Sequence, residues 1–251
     1  MILPAGIDEP LPSTLDKMGM GEAFKRGGSV LVKVNLARAP EPGHPRTDPV
    51  LLTKIIRYVA HCGARCAIAE GADGFLRQNV ETIGLGQTVA EYKVELLDLD
   101  LEDFDCVRVE DETHYLPRCL KNYAVRIGMP ATSKRPGMIF SNNVKLFVGA
   151  VPRRMYQAGE PTTWRPRLHE NLHKSVASIY RAMMAYAPFG FFVNGGPVMI
   201  EGYGERDLGE ILVGDNAIEL DHYVLEKFGL EPPEYLDRLQ AAQNRPALRQ
   251  P

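Results

Sequence analysis

Long hydrophobic runs and cysteines are scarce in this sequence. No apolar run approaches the roughly 20 residues that cross a bilayer, so we expect neither a membrane-spanning helix nor a membrane partner. The N-terminus has neither a basic region nor a long apolar stretch, which argues against a signal peptide. Four cysteines, scattered over 251 residues, are too few for the disulfide framework of a secreted domain. We therefore expect a cytoplasmic protein with reduced thiols.

The chain also lacks an excess of charge of either sign. It has 29 basic and 32 acidic residues, and its formal net charge is −3. Proteins that bind nucleic acid through its phosphate backbone need an excess of positive charge, so we expect no nucleic-acid partner. Basic residues nevertheless cluster at Arg153 and Arg154 and again at Arg165 and Arg167. Such clusters indicate either a solvated loop or a pocket for an anionic substrate.

Three glycine-containing motifs of common enzyme families are absent. The sequence has no G-x-x-x-x-G-K-[ST] pattern, which excludes an ordinary P-loop. No G-x-G-x-x-G follows the first predicted strand, so a dinucleotide fingerprint is also missing. The absence of G-x-S-x-G argues against an ordinary serine hydrolase.

The apolar pattern of the first half predicts repeated strand–helix–strand units. Residues 29–36 form an apolar, β-branched strand, and Asp48 followed by Pro49 is typical of a helix start. The helix has an apolar stripe, ends near Gly63, and leads into a strand at 65–69. This is a βαβ unit, which implies a parallel strand pair. A helix over 80–92 and a strand over 94–99 repeat the pattern.

The second half predicts the remaining elements and the domain limits. Strands are predicted at 106–109, 123–127, 138–140, 189–196 and 210–214, and helices at 168–186 and 217–228, with a long loop at 150–167. We therefore expect a single α/β domain over 29–240, in which an open, mostly parallel sheet carries helices on both faces and a long loop insertion. Residues 1–28 are predicted to form an N-terminal arm and residues 241–251 a frayed tail.

Polar side chains recur where the predicted strands end. In open parallel sheets, ligands bind outside the carboxyl ends of the strands, so these residues predict a cleft. Each residue alone also has a structural explanation, such as an N-cap or a turn. The residues concerned are Lys33, Asn35, Glu70, Asp73, Asn142, Lys145, Asn194, Glu201, Asp215 and Asp221.

The most conspicuous motif is an H-E-x-x-H pattern from His169 to His173. On a helix, residues four apart share a face, so both imidazoles could bind one zinc ion with Glu170 as general base. The next residues, Lys174 and Ser175, are polar, whereas these positions are apolar in metalloproteases with this motif. Two other interpretations stay open, namely exposed histidines at a helix end, or one histidine that transfers protons or contacts substrate.

Short motifs in a shared order resemble the bacterial and archaeal family known as domain of unknown function 362. The resemblance spans roughly residues 30–230, and it implies the same fold with a pocket at the strand ends. It also implies small-molecule metabolism, with reductive chemistry as one option. The motifs are Val-Leu-Val-Lys33-Val-Asn35, Thr47-Asp48-Pro49, Ala69-Glu70-Gly71, Lys145-Leu-Phe-Val-Gly149, His169, Asn194-Gly195, Glu201-Gly-Tyr-Gly204 and Gly214-Asp215-Asn-Ala-Ile-Glu-Leu-Asp221.

The chain departs from the usual family pattern at several of these motifs. Leu146, Glu205 and Ala217 stand where the family usually has Asn, Pro and Pro. Asn194 replaces an aspartate and so lacks a carboxylate able to hold a metal or a proton. Some family members carry an iron–sulfur ferredoxin module, and its cysteine run is missing here. We therefore do not expect an iron–sulfur cluster.

Three functional hypotheses follow from these residues. The first is an enzyme that acts on a small polar or anionic molecule by acid–base chemistry, without a favoured cofactor. In that hypothesis Glu201, Asp221, His169 and Lys145 carry the chemistry, while the substrate contacts are Lys33, Asn35, Glu70, Asn142, Asn194, Asp215 and Arg154. The second is a zinc-dependent hydrolase that uses His169 and His173. The third is a non-catalytic binding or accessory subunit of a redox partner, and a homo-oligomer is compatible with all three.

Overall fold

The computed structural model describes residues 1–6, 11–36, 44–109, 111–162, 164–202 and 204–243. Its strands are β1 (Ile2–Gly6), β2 (Ser29–Val34), β3 (Arg65–Glu70), β4 (Glu95–Asp98), β5 (Phe104–Val109), β6 (Glu112–Pro117), β7 (Val125–Met129), β8 (Ser133–Lys134), β9 (Phe191–Asn194), β10 (Pro197–Ile200), β11 (Gly204–Asp207) and β12 (Glu210–Gly214). Its helices are α1 (Leu11–Lys17), α2 (Met20–Gly27), α3 (Pro49–His61), α4 (Leu76–Thr82), α5 (Gly86–Glu91), α6 (Pro166–His169), α7 (Leu172–Tyr186), α8 (Ala217–Lys227) and α9 (Glu234–Gln243). Short 3₁₀ helices span Arg118–Asn122, Lys145–Gly149 and Arg153–Tyr156.

Within the described residues, seven strands form the main sheet in the order β1-β12-β9-β7-β2-β3-β4. The five strands from β9 to β4 run parallel to their neighbours. Strand β12 is antiparallel to β9, and β1 is antiparallel to β12. The predicted α/β class with an open, mostly parallel sheet is therefore confirmed.

Helices cover both faces of this sheet, as the sequence predicts. Successive side chains of a strand point to opposite faces, and β2 shows this alternation clearly. Val30, Val32 and Val34 are buried in one core together with α2 and α3. Leu31 lies in the other core with side chains of α7 and α8. The side chain of Lys33 follows the same alternation and therefore points to the α7 face.

The βαβ unit forms through the local signals that predicted it. The Asp48 carboxylate accepts a hydrogen bond from the Val50 backbone N–H at 2.8 Å and so caps α3. Gly63 follows the helix with a φ of +75°, a conformation that glycine adopts without steric cost.

No helix in the described part of the chain is long and apolar enough to cross a membrane.

The N-terminal segment is not an arm, contrary to the sequence-based expectation. Strand β1 pairs with β12 along its whole length, from Ile2 opposite Gly214 to Gly6 opposite Glu210. Helix α2 buries Met20 and Phe24 completely. The segment is rich in glycine and proline and its helices are short, so its sequence lacks the long apolar periodicity that reveals helices.

Several predicted boundaries differ from the structure for local reasons. The helix predicted at 80–92 is divided into α4 and α5 near Gly84, which has a φ of +81°. No strand forms over 138–140, and two hairpins, β5–β6 and β10–β11, were not predicted. Helix α9 extends into the predicted tail as far as Gln243, and residues 244–251 lie outside the described residues.

Candidate functional site

A cavity of about 230 Å³ opens at the carboxyl ends of β2, β3 and β7. It lies between these strand ends, the segment that follows β7, and the loop that leads to α6. Such a position is where open parallel sheets bind ligands. The charged side chains on its wall are Lys33, Glu70, Arg135, Lys145, Arg153 and Arg165.

Lys33 and Glu70 form a buried ion pair at the base of the cavity, with 3.0 Å between Nζ and Oε1. The Glu70 carboxylate also accepts hydrogen bonds from the backbone N–H groups of Leu36 and Gly71, both at 2.8 Å. Burial lowers the pKa of Lys33 and raises that of Glu70, and the attraction between the two charges opposes both shifts. Gly71 is required here, because a Cβ would lie 2.5 Å from the Gly149 carbonyl oxygen.

Two arginines of the long loop share a buried carboxylate that follows β4. Asp100 accepts a hydrogen bond from the Arg165 guanidinium at 3.0 Å and one from the Arg153 backbone N–H at 2.6 Å. The Arg153 guanidinium also lies 3.4 Å from Asp100 and 3.1 Å from Asp73. Both arginines are buried and line the cavity, so part of the basic loop faces a pocket.

Arg154 and Arg167, the other members of the basic clusters, do not line the cavity. The Arg154 guanidinium donates to the carbonyl oxygens of Asp100 and Glu102 and lies 5.1 Å from the centre of the Phe104 ring. Arg154 therefore fixes the loop to the segment after β4, and its predicted contact with a substrate is not supported by its position.

Lys145 lies half-buried in the cavity wall at the start of a 3₁₀ helix. Among the residues that the structure describes, its ammonium group has neither a hydrogen-bond acceptor nor a carboxylate partner. Burial lowers the pKa of Lys145 to about 8, and the positive charge of Arg135 contributes to the same shift. An amine with this pKa exchanges a proton readily near neutral pH.

Asparagine side chains lie in the cavity wall and directly behind it. Asn142 lines the cavity, and its Oδ1 accepts hydrogen bonds from the Asn194 side chain at 2.6 Å and from Thr132 at 2.8 Å. Asn194 is buried but does not itself line the cavity. Asn35 does line it, at the end of β2. The strand-end prediction thus brings together Lys33, Asn35, Glu70, Asn142 and Lys145.

Asp221 is fully buried in α8 and does not line the cavity. Its carboxylate accepts hydrogen bonds from the backbone N–H groups of Asn143, at 2.9 Å, and Val144, at 3.2 Å. Burial raises the pKa of Asp221 to about 7. Asp221 is therefore a positioning residue, which holds the turn between Asn142 and Lys145, and it is not placed to contact a substrate.

Glu201 and Asp215 also lie outside the cavity. The Glu201 side chain is 49% exposed beside β10 and lies 3.5 Å from the Lys134 ammonium group. Asp215 is 52% exposed and pairs with the N-terminal amine at 2.5 Å. Because β12 runs antiparallel to β9, its carboxyl end lies at the opposite edge of the sheet. A sequence does not reveal this direction, so the prediction placed Asp215 on the wrong side.

The H-E-x-x-H motif is divided between two helices. His169 ends α6 and lines the cavity, with its Nδ1 2.9 Å from the Arg165 carbonyl oxygen and its ring against Trp164. His173 lies in α7, is absent from the cavity wall, and stacks on Tyr235. Asn171, with a φ of −143°, interrupts the helical path between them. The shared helix face on which the zinc hypothesis depends is therefore missing.

No group of three or more His, Cys, Asp or Glu side chains in the described ranges is arranged to hold a metal ion. The ligand set needed for a zinc-dependent hydrolase is thus not assembled from these residues.

Comparison with family models identifies the relatives of this chain. The model described as Domain of unknown function (DUF362) matches residues 30–226, which include every strand of the main sheet except β1 and the start of β2. The chain belongs to the DUF362 family. A search of curated proteins finds no significant match. The resemblance that the short motifs suggested is therefore confirmed for the family.

The cavity of this DUF362 protein includes residues that the strand-end rule did not select. Arg153 and Arg165 carried a signal, because they belong to the basic clusters of the long loop. Asp100, which contacts both arginines but does not itself line the cavity, lies two residues after β4 and one position beyond the predicted strand. Arg135 and Trp164 carried no sequence signal, since neither belongs to a motif or follows a strand of the main sheet.

Proposed function

We propose that this protein is an enzyme that binds a small anionic organic molecule in the cavity and acts on it by acid–base chemistry. The observation that carries the proposal is the position of Lys145, an amine without a partner among the described residues, in a pocket whose wall is mainly cationic.

The balance of charge on the cavity wall favours an anionic ligand. Glu70 offsets Lys33, and Asp100 lies between Arg153 and Arg165. Arg135 and Lys145 have no such carboxylate among the residues that the structure describes. The remaining positive potential attracts a carboxylate or phosphate group, and a guanidinium binds either group with two parallel hydrogen bonds.

Lys145 is suited to transfer a proton to or from such a ligand. With a pKa of about 8, a fraction of this amine is neutral at physiological pH and can accept a proton, while the ammonium form can return it. His169 lies on the same wall and provides an imidazole that can form hydrogen bonds with the substrate. Asn35 and Asn142 supply amides that can bind polar groups of the substrate.

The proposal is tested by proton exchange, which requires no knowledge of the complete reaction. A panel of small carboxylates and phosphates is incubated with the protein in deuterated water, and the loss of C–H signals is followed by proton NMR. We expect exchange with at least one compound, and loss of that exchange in Lys145→Met. The matched control is Lys54→Met, which changes an exposed lysine of α3 and should leave exchange unchanged.

Two outcomes would contradict the proposal in different ways. If calorimetry detects ligands in the cavity but none of them exchanges protons, the protein is a binding subunit and not an acid–base enzyme. If no small anion binds at all, the cavity does not have the role proposed here.

A further inference from the structure

The amine of Lys145 differs from the other cations of the cavity in its surroundings. Lys33 donates to Glu70 and to the Val34 carbonyl oxygen, at 3.0 and 2.7 Å. The guanidinium groups of Arg153 and Arg165 both contact Asp100. Among the residues that the structure describes, the Lys145 ammonium has no such oxygen. When the ammonium group loses its proton, the electron pair of the Lys145 nitrogen is therefore not engaged by any residue that the structure describes.

The environment of Lys145 favours the neutral amine. Burial removes water from the ammonium form, and Arg135 adds a charge of the same sign, so the pKa falls from the ordinary value of 10.5 to about 8. At pH 7 the neutral fraction of such an amine is about 300-fold larger than that of an ordinary lysine. Desolvation beside a second cation is an established way to make a lysine nucleophilic.

We propose that Lys145 forms an imine with an aldehyde or ketone that also carries a carboxylate group. The inference rests on the proposed function of the cavity and names the class of its substrate. Arg135, which also lines the cavity, would bind the carboxylate, while the carbonyl carbon meets the Lys145 amine.

The step balances without an added oxidant or reductant. The nitrogen of Lys145 attacks the carbonyl carbon, and the two protons of the amine pass to the carbonyl oxygen, which leaves as water when the C=N bond forms. Protonation of the imine nitrogen then draws electrons from the former carbonyl carbon, and a proton on the carbon next to it becomes acidic. Hydrolysis by one water molecule returns the amine and the carbonyl group. His169 lines the same cavity, and in this proposal it shuttles these protons.

The experiment traps the imine with a small probe. The full-length protein is incubated at pH 7 with glyoxylate, the smallest aldehyde acid, and sodium cyanoborohydride, and peptides are mapped by mass spectrometry. We expect a carboxymethyl adduct at Lys145 that forms at least about tenfold faster than the adduct at the exposed Lys54. The rate at Lys145 should rise with pH with a midpoint near 8.

Two variants separate the nucleophile from the anion site. Lys145→Arg keeps the positive charge and should give no adduct at this position, while circular dichroism checks that the fold is kept. Arg135→Gln should slow the trapping of glyoxylate more than that of acetaldehyde, because acetaldehyde has no carboxylate. It should also move the pH midpoint of Lys145 upwards, because a neighbouring positive charge is removed.

The outcomes distinguish the imine from the proposed function. If Lys145 is trapped no faster than Lys54, but oxalate binds by calorimetry and binds more weakly to Arg135→Gln, the imine is excluded and the anion site stands. If neither trapping nor oxalate binding is observed, both proposals fail. Preferential trapping that persists with equal rate in Arg135→Gln would exclude the role given to Arg135.

Discussion

The buried ion pair of Lys33 and Glu70 contributes both to the stability of the fold and to the wall of the cavity. Both side chains are almost fully buried, and each charge is costly in such surroundings unless the other is present. Glu70 also binds the backbone of Leu36 and Gly71, so the pair ties together the ends of β2 and β3. The floor of the cavity therefore depends on this contact.

We expect Lys33→Met to reduce the free energy of unfolding by about 3–5 kcal/mol, because it leaves the Glu70 carboxylate buried without its partner. Denaturant unfolding measures the change. Lys25→Met is the matched control, since Lys25 forms an exposed pair with Glu22 at 3.2 Å, and such pairs contribute about 0–1 kcal/mol. Equal losses of unfolding free energy for the two substitutions would show that burial of the Lys33–Glu70 pair does not add to its contribution to stability.

Asp221 gives a second prediction at the scale of the residue, through the pH dependence of stability. Its pKa is raised to about 7 in the folded protein, above the ordinary value of 3.8. The folded state thus binds the proton more tightly than the unfolded state does. Its contribution to stability is complete below about pH 4 and is lost as the pH rises through about 7.

We expect the unfolding free energy of the unmodified protein to fall relative to Asp221→Asn between pH 4 and pH 8. The maximum difference is about 4 kcal/mol, because three pKa units correspond to roughly that energy. Denaturant unfolding at several pH values provides the measurement, and the comparison with the variant removes the effect of all other groups. Parallel curves for the two proteins would mean that Asp221 has an ordinary pKa.

At the scale of the element, the β5–β6 hairpin stands apart from the main sheet and packs on α7. Its attachment includes a buried hydrogen bond of 2.6 Å between His114 Nε2 and Ser178 Oγ, and Lys174 of α7 pairs with Glu112 of β6 at 2.8 Å. Burial lowers the pKa of His114, although Glu112 opposes the shift. Burial of the docked hairpin thus disfavours the charged imidazole.

We expect this docking to weaken on acidification. The folded pKa of His114 is lowered from 6.5, so the undocked state binds the extra proton, and stability is lost as the pH falls below about 6.5. The slope is at most about 1.4 kcal/mol per pH unit. Hydrogen exchange of residues 104–117 at pH 7 and pH 5 measures the effect, with the amides of β2 as reference. His114→Gln should remove the extra acid sensitivity, and its persistence in this variant would assign it to another group.

At the scale of the whole molecule, the described N-terminal residues, 1–6 and 11–28, complete the sheet and one of its two cores. Strand β1 covers the edge of β12, and the side chains of Met20 and Phe24 fill the core on the α3 face. A sheet edge that loses its neighbour exposes unpaired backbone groups, and a core that loses two large side chains is left with a cavity.

We expect a chain that begins at residue 29 to lose its cooperative thermal transition. Removal of Phe24 alone, as Phe24→Ala, should already cost about 3–5 kcal/mol, whereas Phe24→Leu should retain most of the stability. Calorimetry compares these three variants with the unmodified protein. If the truncated chain unfolded within a few degrees of the full one, the segment would be the dispensable arm that its composition suggests.

How much of the site was predictable depended on the direction of each strand. Lys33, Asn35 and Glu70 were found because they end or follow parallel strands, and Lys145 was found because it lies in a motif of the family. Asn142 was selected after a predicted strand that does not form, yet all five residues line the cavity. Asp215 follows an antiparallel strand, Glu201 follows β10 outside the main sheet, and Asp221 lies within α8, so none of the three lines the cavity. The local sequence pattern indicates where a strand ends, but it does not show at which end of the sheet that terminus lies. The direction of the strand depends on its pairing with distant strands.

The sequence by itself determined the α/β class, the βαβ unit around α3, and the family, because these depend on local periodicity, capping and the order of short motifs. Tertiary structure alone decided that β12 runs antiparallel and that Arg135 and Lys145 line one cavity with the ends of β2 and β3. These facts depend on contacts with segments distant in the chain, whereas the break between His169 and His173 lies at Asn171, whose side chain caps α7 locally. The pKa of Lys145 also depends on the tertiary structure, since burial and a neighbouring charge exist only after the chain has folded.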